Sequence, residues 1–235
     1  MDKLKVIGRG DFSHVNLVMQ SGCFAAMKVY QKAKLDRPTK LKQIKNELNI
    51  HMQIKYPFII QMFLSMEDSH YIYYILEYAP GGDLYSLLRR HRRLNDESAR
   101  FYASQIILAI EHLHGERIIF RDIKPENILV DNFGYIKLAD FGMATKMVGT
   151  KTFTYCGTPE YIAPEIVLNS GHDYGVDYWA LGILLFEMKY GHTPFRAKDT
   201  FQTYQNIVNK KVVVLSYYRS SYILFRQNAF AFLND

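Results

Sequence analysis

The chain has 235 residues, 49% of them hydrophobic, with only two cysteines, so an ordinary intracellular globular protein of one or two domains without disulfides is expected. No apolar leader core follows Met1-Asp2-Lys3-Leu4-Lys5, and the longest apolar run, Tyr178 to Phe186, is too short for a membrane span and fits a buried helix. The net charge of +6 and pI near 9.1 would suit nucleic acid or acidic lipid, but Lys and Arg are spread from Lys28 to Lys45 and Arg89 to Arg93 without interleaved aromatics, so neither partner is expected.

Leu4 to Ile7 and Val15 to Met19 read as strands joined by Gly8-Arg9-Gly10-Asp11-Phe12-Ser13, a glycine-rich turn whose backbone amides can approach phosphate oxygens. Ala25-Ala26-Met27-Lys28-Val29 reads as a third strand, with Lys28 facing opposite to Met27 and Val29. Leu41, Ile44, Leu48 and Met52 keep helical spacing and place Glu47 at the edge of the core-facing stripe, where its carboxylate can reach the Lys28 ammonium. Pro57-Phe58-Ile59-Ile60 and Tyr71 to Leu76 complete an expected five-stranded antiparallel sheet with one helix. Pro80-Gly81-Gly82 then breaks the chain at a lobe boundary. Asp83 opens a short helix with Leu84, Leu87 and Leu88 inward. Asn95-Asp96-Glu97 starts a longer one that keeps its spacing through Ala99, Tyr102, Ala103, Ile106, Ile107, Ile110 and Leu113 to Gly115. Asp177 to Gly182 begins a nearly all-apolar helix, expected to be buried on every side.

Between these helices, Phe120-Arg121-Asp122-Ile123-Lys124-Pro125-Glu126-Asn127 places four chemically different polar groups on a turn flanked by the strands Ile118 to Phe120 and Ile128 to Val130. A further strand, Tyr135-Ile136-Lys137-Leu138, delivers Asp140-Phe141-Gly142 back to the same turn. Asp122 can accept a hydroxyl proton, Lys124 can neutralise a transferring phosphoryl group, and Asn127 and Asp140 offer hard oxygens to magnesium, a set that suits phosphoryl transfer. The Arg-Asp, Lys, Asn spacing followed by Asp-Phe-Gly after one hairpin is highly specific, and it resembles the protein kinase superfamily.

That resemblance implies an α+β, bilobal fold. Residues 1–79 would form the nucleotide-binding small lobe and residues 80–211 the mostly helical large lobe, followed by a divergent tail at 212–235. It implies ATP and Mg2+ as cofactors. ATP would lie against Ile7, Gly8, Gly10, Val15, Ala26, Lys28, Glu47, Leu76 and Leu129, with hinge hydrogen bonds from Glu77 to Ala79; Asn127 and Asp140 would hold the metal. Ser13 stands where a third glycine is usual. Asp177 would bind the backbone of the catalytic loop. His51 replaces an aliphatic residue of the internal stack that links its helix to Phe141 and Phe120, an exchange expected to loosen that coupling.

Lys151-Thr152-Phe153-Thr154-Tyr155-Cys156-Gly157-Thr158-Pro159-Glu160-Tyr161, with Phe120 before Arg-Asp, Pro57-Phe58-Ile59 and Gly81-Gly82-Asp83-Leu84, is similar to the AGC group of serine/threonine kinases, which includes the cyclic-nucleotide-dependent ones. The similarity implies phosphorylation of Thr154, with Arg121 and Lys146 as partners of the phosphate. Thr158 would tie the substrate loop to Asp122 and Lys124. Asp83 and Glu126 would bind arginine upstream of the acceptor, while Gln205 replaces a third acid. Expected partners are protein or peptide substrates with basic residues before a serine or threonine, and an upstream activating kinase or a regulatory subunit. The expected compartment is the cytoplasm, with the nucleus as the second choice.

From Val212 onward the family pattern stops, with neither of the two expected final helices, no arginine to pair with Glu165, and no match to the AGC tail at Phe225 to Phe232. Two functions therefore stand: an active ATP-dependent serine/threonine kinase, and a truncated, non-catalytic binding module that occupies partners without turnover.

Overall fold

The computed structural model describes residues 1–10, 12–35 and 38–210; the tail expected at 212–235, and Asp11 in the glycine-rich turn, lie outside the described residues. The chain opens with β1 (Asp2–Arg9), β2 (Ser13–Gln20) and β3 (Cys23–Gln31), then α1 (Pro38–His51), β4 (Met62–Glu67) and β5 (Tyr71–Leu76). The strands form one antiparallel sheet in the order β1-β2-β3-β5-β4. The β2–β3 hairpin closes on Ser21 and Gly22, both with positive φ (51° and 80°), the backbone that matches the right-handed twist of paired strands. Tyr30, Leu35, Ile44, Met62, Ile72 and Tyr74 pack between this sheet and α1.

The five strands were expected, but the fourth is elsewhere. Pro57 to Ile60 does not join the sheet, because its backbone groups are used by the other half of the molecule: Leu138 N–H donates to Phe58 O at 2.8 Å and Ile60 N–H donates to Leu138 O at 3.0 Å. Met62–Glu67 takes its place. Phe63, Leu64 and Met66 are exposed there, so the strand lacks the alternating burial that would have marked it in the sequence. The stripe on α1 also ends differently: Met52 is 42% exposed and outside the helix, and His51, 2% exposed, is the last inward residue.

The second half of the described chain runs α2 (Leu84–His91), α3 (Asp96–Gly115), β6 (Ile118–Ile119), β7 (Ile128–Val130), β8 (Ile136–Leu138), β9 (Thr145–Lys146), α4 (Pro164–Val167), α5 (Gly175–Tyr190) and α6 (Thr200–Asn209). Both early helices start on side-chain caps. Asp83 accepts from Ser86 N–H at 2.6 Å, and Asn95 accepts from Ser98 N–H at 2.8 Å. β6 pairs with β9, and β7 with β8, so two short antiparallel ladders carry the loops between them. Ile106, Ile110 and Leu113 of α3, Ile119, Phe120 and Ile123 of the loop region, and Leu184 of α5 fill one core. α5 is not buried on every side as expected: Tyr178, Leu185 and Phe186 keep partial exposure along one flank.

α5 ends at Gly191, whose φ of +80° lets the chain turn away while its N–H donates to Glu187 O at 2.7 Å. The Arg92 carbonyl at the end of α2 comes so close that a Cβ on Gly191 would lie 2.4 Å from it, whereas a Cβ on Gly22 would meet nothing within 4 Å. Both glycines occupy left-handed backbone, so the pair separates backbone strain from steric clash. Gly22→Ala should lower the unfolding free energy by about 1 kcal/mol and Gly191→Ala by at least ~2 kcal/mol. Urea titrations of the two variants beside the parent protein measure this, and equal losses would show that the Arg92 contact imposes no constraint.

Candidate active site

The turn after β6 is held by a single buried carboxylate. Asp177, in the first turn of α5 and fully buried, accepts from Phe120 N–H at 2.9 Å through Oδ2 and from Arg121 N–H at 2.7 Å through Oδ1. His114 Nε2, 2.8 Å from the same Oδ2, supplies a third donor that the sequence did not announce. These bonds hold Arg121 at a φ of +68°, a conformation that costs a non-glycine residue of order 1–3 kcal/mol and so needs such support.

On that turn, Asp122 is 7% exposed and has both oxygens engaged. Oδ1 accepts from Thr158 Oγ1 at 2.8 Å, and Oδ2 accepts from Asn127 Nδ2 at 2.8 Å and lies 2.8 Å from Lys124 Nζ. Lys124 Nζ also donates to Thr158 Oγ1 at 2.9 Å, so acid, lysine and threonine form a closed triangle. Because Asn127 uses its amide nitrogen on Asp122, its Oδ1 is left as an oxygen donor.

Opposite stands a second ionic group. Lys28 Nζ lies 2.9 Å from Glu47 Oε1 and 3.0 Å from Asp140 Oδ1, and Tyr30 OH donates to Glu47 Oε2 at 2.9 Å. Burial alone would lower the Lys28 pKa, but the two carboxylates outweigh it and hold it well above the ordinary lysine value. The Lys28 charge in turn lowers the Asp140 pKa against the effect of burial, helped by Gly142 N–H. Glu47 is 3% exposed, more deeply placed than a stripe-edge position suggested. Two further α1 residues reach the segment after Asp140: Gln43 Nε2 donates to Gly142 O at 2.7 Å and Asn46 Nδ2 to Ala144 O at 3.0 Å.

The His51 ring stacks on Phe141 at 4.4 Å, and Phe141 meets Phe120 edge-on at 5.2 Å, so the internal stack is continuous from α1 to the catalytic turn. His51 also has a polar bond, with Nε2 2.6 Å from Ile60 O. The expected loosening is therefore not what the packing displays: the ring fills the stack and adds a hydrogen bond that an aliphatic residue lacks.

The apolar residues expected around a nucleotide lie on β1, β2, β3, β5 and β7. Ala26 and Leu76 are register partners on β3 and β5, Gly8 pairs with Val15, Ile7 is exposed on β1, and Leu129 is half-buried on β7. Glu77 N–H donates to Gln61 O at 2.8 Å, while no backbone partner among the described residues takes the Glu77 carbonyl or the Ala79 N–H. Those two groups belong to the hinge expected to meet adenine. A magnesium ion fits the remaining donors: Asn127 Oδ1 and the Asp140 carboxylate are hard oxygens, and Mg2+ characteristically takes one or two such protein ligands beside phosphate and water.

Asp83 is half-exposed and caps α2, and its backbone bridges Leu129; Glu126 is exposed on the 3-10 turn Pro125–Asn127. Two acids not singled out in the sequence join Glu126. Tyr161 OH donates to Glu187 and Thr193 Oγ1 donates to Glu160. Burial raises the Glu187 pKa, and the charges of Glu126 and Glu160 raise it further, which places all three carboxylates in one electrostatic neighbourhood. An acid late in the apolar α5, ten residues after Asp177, was the available signal for Glu187. Gln205 is exposed on α6.

Thr154 is exposed on the segment before Thr158. Arg121 Nε donates to Met143 O at 2.8 Å, but Arg121 Nη1 is buried with no partner among the described residues, and so is His172 Nε2, whose backbone is bonded to Thr152 at 2.9 Å in both directions. Lys146 is exposed on β9. Glu165 forms no ion pair among the described residues, and burial raises its pKa with Asp173 adding to the effect. It is only half-buried, so the several kcal/mol expected for a fully buried unpaired carboxylate does not apply in full.

Comparison with known proteins decides the family. The protein kinase domain model matches residues 1–229, beyond Val212 where the sequence reading saw the pattern stop. The chain belongs to the protein kinase family. It is 43% identical over 213 residues to the human "cAMP-dependent protein kinase catalytic subunit PRKX", covering 90% of this chain and 59% of that protein. It is 42% identical over 214 residues to the Caenorhabditis elegans "cAMP-dependent protein kinase, catalytic subunit-like", covering 90% of this chain and 54% of that protein. Against the Dictyostelium discoideum "cAMP-dependent protein kinase catalytic subunit" it is 43% identical over 212 residues, 89% of this chain and 33% of that protein. The kinase domain is thus similar to those of cAMP-dependent, AGC-type kinases, and the chain spans from a third to three-fifths of the length of these relatives. Its architecture is the bilobal kinase fold.

The His51 ring is buried, and burial pulls its pKa down to about 4, outweighing the Ile60 carbonyl that favours the charged form. Above pH ~6.5 both folded and unfolded chains hold the ring neutral; as pH falls towards ~4 the unfolded chain binds the proton first, so stability is lost across that window. Between pH 7 and pH 5, His51→Gln should lose about 2 kcal/mol less unfolding free energy than the parent protein, read from urea midpoints. Parallel losses in the two proteins would mean that His51 is not held neutral.

Proposed function

We propose that this chain is an ATP- and Mg2+-dependent serine/threonine kinase whose substrates carry basic residues before the acceptor. Residues 1–79 hold the nucleotide, and residues 80–211 supply the catalytic turn and the peptide surface. The observation that carries the reading is the pairing of the Asp122–Thr158–Lys124 triangle with the Glu47–Lys28–Asp140 chain across one cleft. Two carboxylates with opposite duties are kept apart in this way. Asp122 is shielded and aimed at an incoming hydroxyl, while Asp140 stays ionised beside Lys28.

Bound ATP supplies the phosphoryl group and Mg2+ the positive charge its oxygens require, so the chain's own part is positioning and electrostatics. Ile7, Gly8, Gly10, Val15, Ala26, Leu76 and Leu129 enclose the base and phosphates, with the Glu77 carbonyl and Ala79 N–H facing the adenine edge. Lys28, fixed by Glu47, lies where phosphate oxygens arrive. Asn127 Oδ1 and the Asp140 carboxylate would hold the metal. Asp122 orients the substrate hydroxyl and accepts its proton, and Lys124 holds positive charge within 2.8 Å of that carboxylate. Thr158, bonded to both, links the peptide-binding segment to the reacting groups.

Half-exposed Asp83 and exposed Glu126, with Glu160 and Glu187 near Glu126, favour a positively charged peptide. The relatives' names state no substrate, so the acidic residues are the support for this class. Thr154 is the regulatory position in this reading: a phosphate there would supply the partner that buried Arg121 Nη1 lacks and would lie near exposed Lys146. An upstream kinase would install it. The binding-module alternative is less well supported, since a cleft used only for occupancy has no need of Lys28 held between two carboxylates.

The test is Mg2+-dependent transfer of labelled phosphate from ATP to a serine peptide with arginine three residues before the acceptor. Asp122→Asn should lower the rate by at least ~10²-fold without changing the melting temperature. Folded parent protein carrying phosphate on Thr154 yet showing no transfer would favour the binding module. Replacing the peptide arginine by alanine should cut kcat/KM about tenfold, the equivalent of ~1.4 kcal/mol for one exposed ionic contact, and indifference to it would remove the basic-substrate reading. Thr154→Ala should lower kcat; full activity in that variant, or in phosphate-free protein, would exclude the regulatory role.

A further inference from the structure

His51 closes a ring of contacts that crosses the molecule. Its Nε2 lies 2.6 Å from Ile60 O; the N–H of the same Ile60 donates to Leu138 O at 3.0 Å; and Leu138 ends the strand that leads through Ala139 and Asp140 to Phe141, whose ring stacks back on His51 at 4.4 Å and 27°. A carbonyl oxygen only accepts, so His51 Nε2 must carry the proton in this bond. His51 and Ile60 are both 2% exposed, so water cannot stand in for either partner. Burial keeps the ring neutral at ordinary pH, with Lys28 and Asp140 as the charges that face it, so the bond is permanent rather than pH-gated.

Glu47 lies one helical turn before His51 on α1, so the rotation and height of the last turn set where its carboxylate meets Lys28. Gln43 and Asn46 fasten the preceding turns to Gly142 and Ala144. His51 fastens the end. An apolar side chain of similar size would fill the stack but leave the Ile60 carbonyl buried without its donor.

We propose that His51 is a positioning residue, whose hydrogen bond to the Ile60 carbonyl fixes the last turn of α1 against β8 and Phe141 and thereby holds Glu47 on Lys28. The proposal rests on the kinase reading for its kinetic readout and is independent of it for its structural one. His51→Leu keeps apolar bulk and removes the donor; His51→Gln keeps an N–H donor on a side chain of similar reach. The two variants and the parent protein, all with the same phosphorylation state, are compared in kcat, in KM for peptide, and in hydrogen exchange of the amides of residues 43–52.

His51→Leu should lose between about 10-fold and 100-fold in kcat, the cost expected of a small displacement of a reacting group, with KM for peptide changed less than about twofold and faster exchange in α1. His51→Gln should recover most of both. Parent-like kcat and exchange in His51→Leu would overturn the proposal, as would a His51→Gln variant as impaired as His51→Leu, which would leave only a packing role. Should the parent protein itself transfer no phosphate, the kinase reading fails and exchange alone decides: equal α1 protection in parent and His51→Leu overturns the positioning role, and selective loss in His51→Leu sustains it.

Discussion

The fold of the catalytic half depends on one buried anion. Asp177 has no exposed surface, and a carboxylate in such a place is tolerated only when its lone pairs are all well used. Two backbone N–H groups and the His114 ring meet that demand. The consequence runs outward. Those N–H groups belong to Phe120 and Arg121, so the same bonds that stabilise the anion shape the turn, force Arg121 into left-handed backbone, and point Asp122 at Thr158. The catalytic loop is rigid because a charge in the core needs it to be.

A second constraint links the lobes. Lys28 lies on the sheet, Glu47 on α1 and Asp140 on the turn after β8, so a single ammonium reports whether three elements are in place together. Exposed ion pairs are worth little, and Asp140 is the exposed member here, but Lys28 and Glu47 are shielded and the carboxylates raise the Lys28 pKa strongly, so the arrangement has a clear preference over any in which Glu47 is withdrawn. The α1 residues Gln43, Asn46 and His51 add polar bonds to the same alignment. Helix position is therefore set by hydrogen bonds along its whole inner face, not by apolar packing alone.

Much of this was legible because the chemistry is local in sequence. Asp122, Lys124 and Asn127 fall within six consecutive positions, and apolar strands on either side leave them no other place than a turn. Glycine pairs, helix caps at Asp83 and Asn95, and the 3.6-residue spacing of α3 are equally local signals. What escaped notice is long-range. Pro57 to Ile60 has the composition of a sheet strand, and only the distant Leu138 backbone, which takes its hydrogen bonds, shows that it joins the other half of the molecule. Met62–Glu67 puts apolar side chains on both faces, so its periodicity gave no warning. His114, Gln43 and Asn46 look like ordinary surface-helix polar residues until the partner 63 to 99 positions away is known.

Net charge illustrates the same limit from the other direction. The chain carries +6 overall, and that value by itself argues for acidic partners. Yet Glu126 and Glu160 stand close enough to Glu187 that burial and these negative charges together push it above its usual range, against the Tyr161 hydrogen bond and the Arg196 charge. Charges beyond roughly a Debye length of ~8 Å are screened in physiological salt, so a bound side chain responds to these few carboxylates and not to lysines on the far surface. Partner preference follows the local field and not the net charge, and around Glu187 that field is set by Glu126 and Glu160 against Arg196.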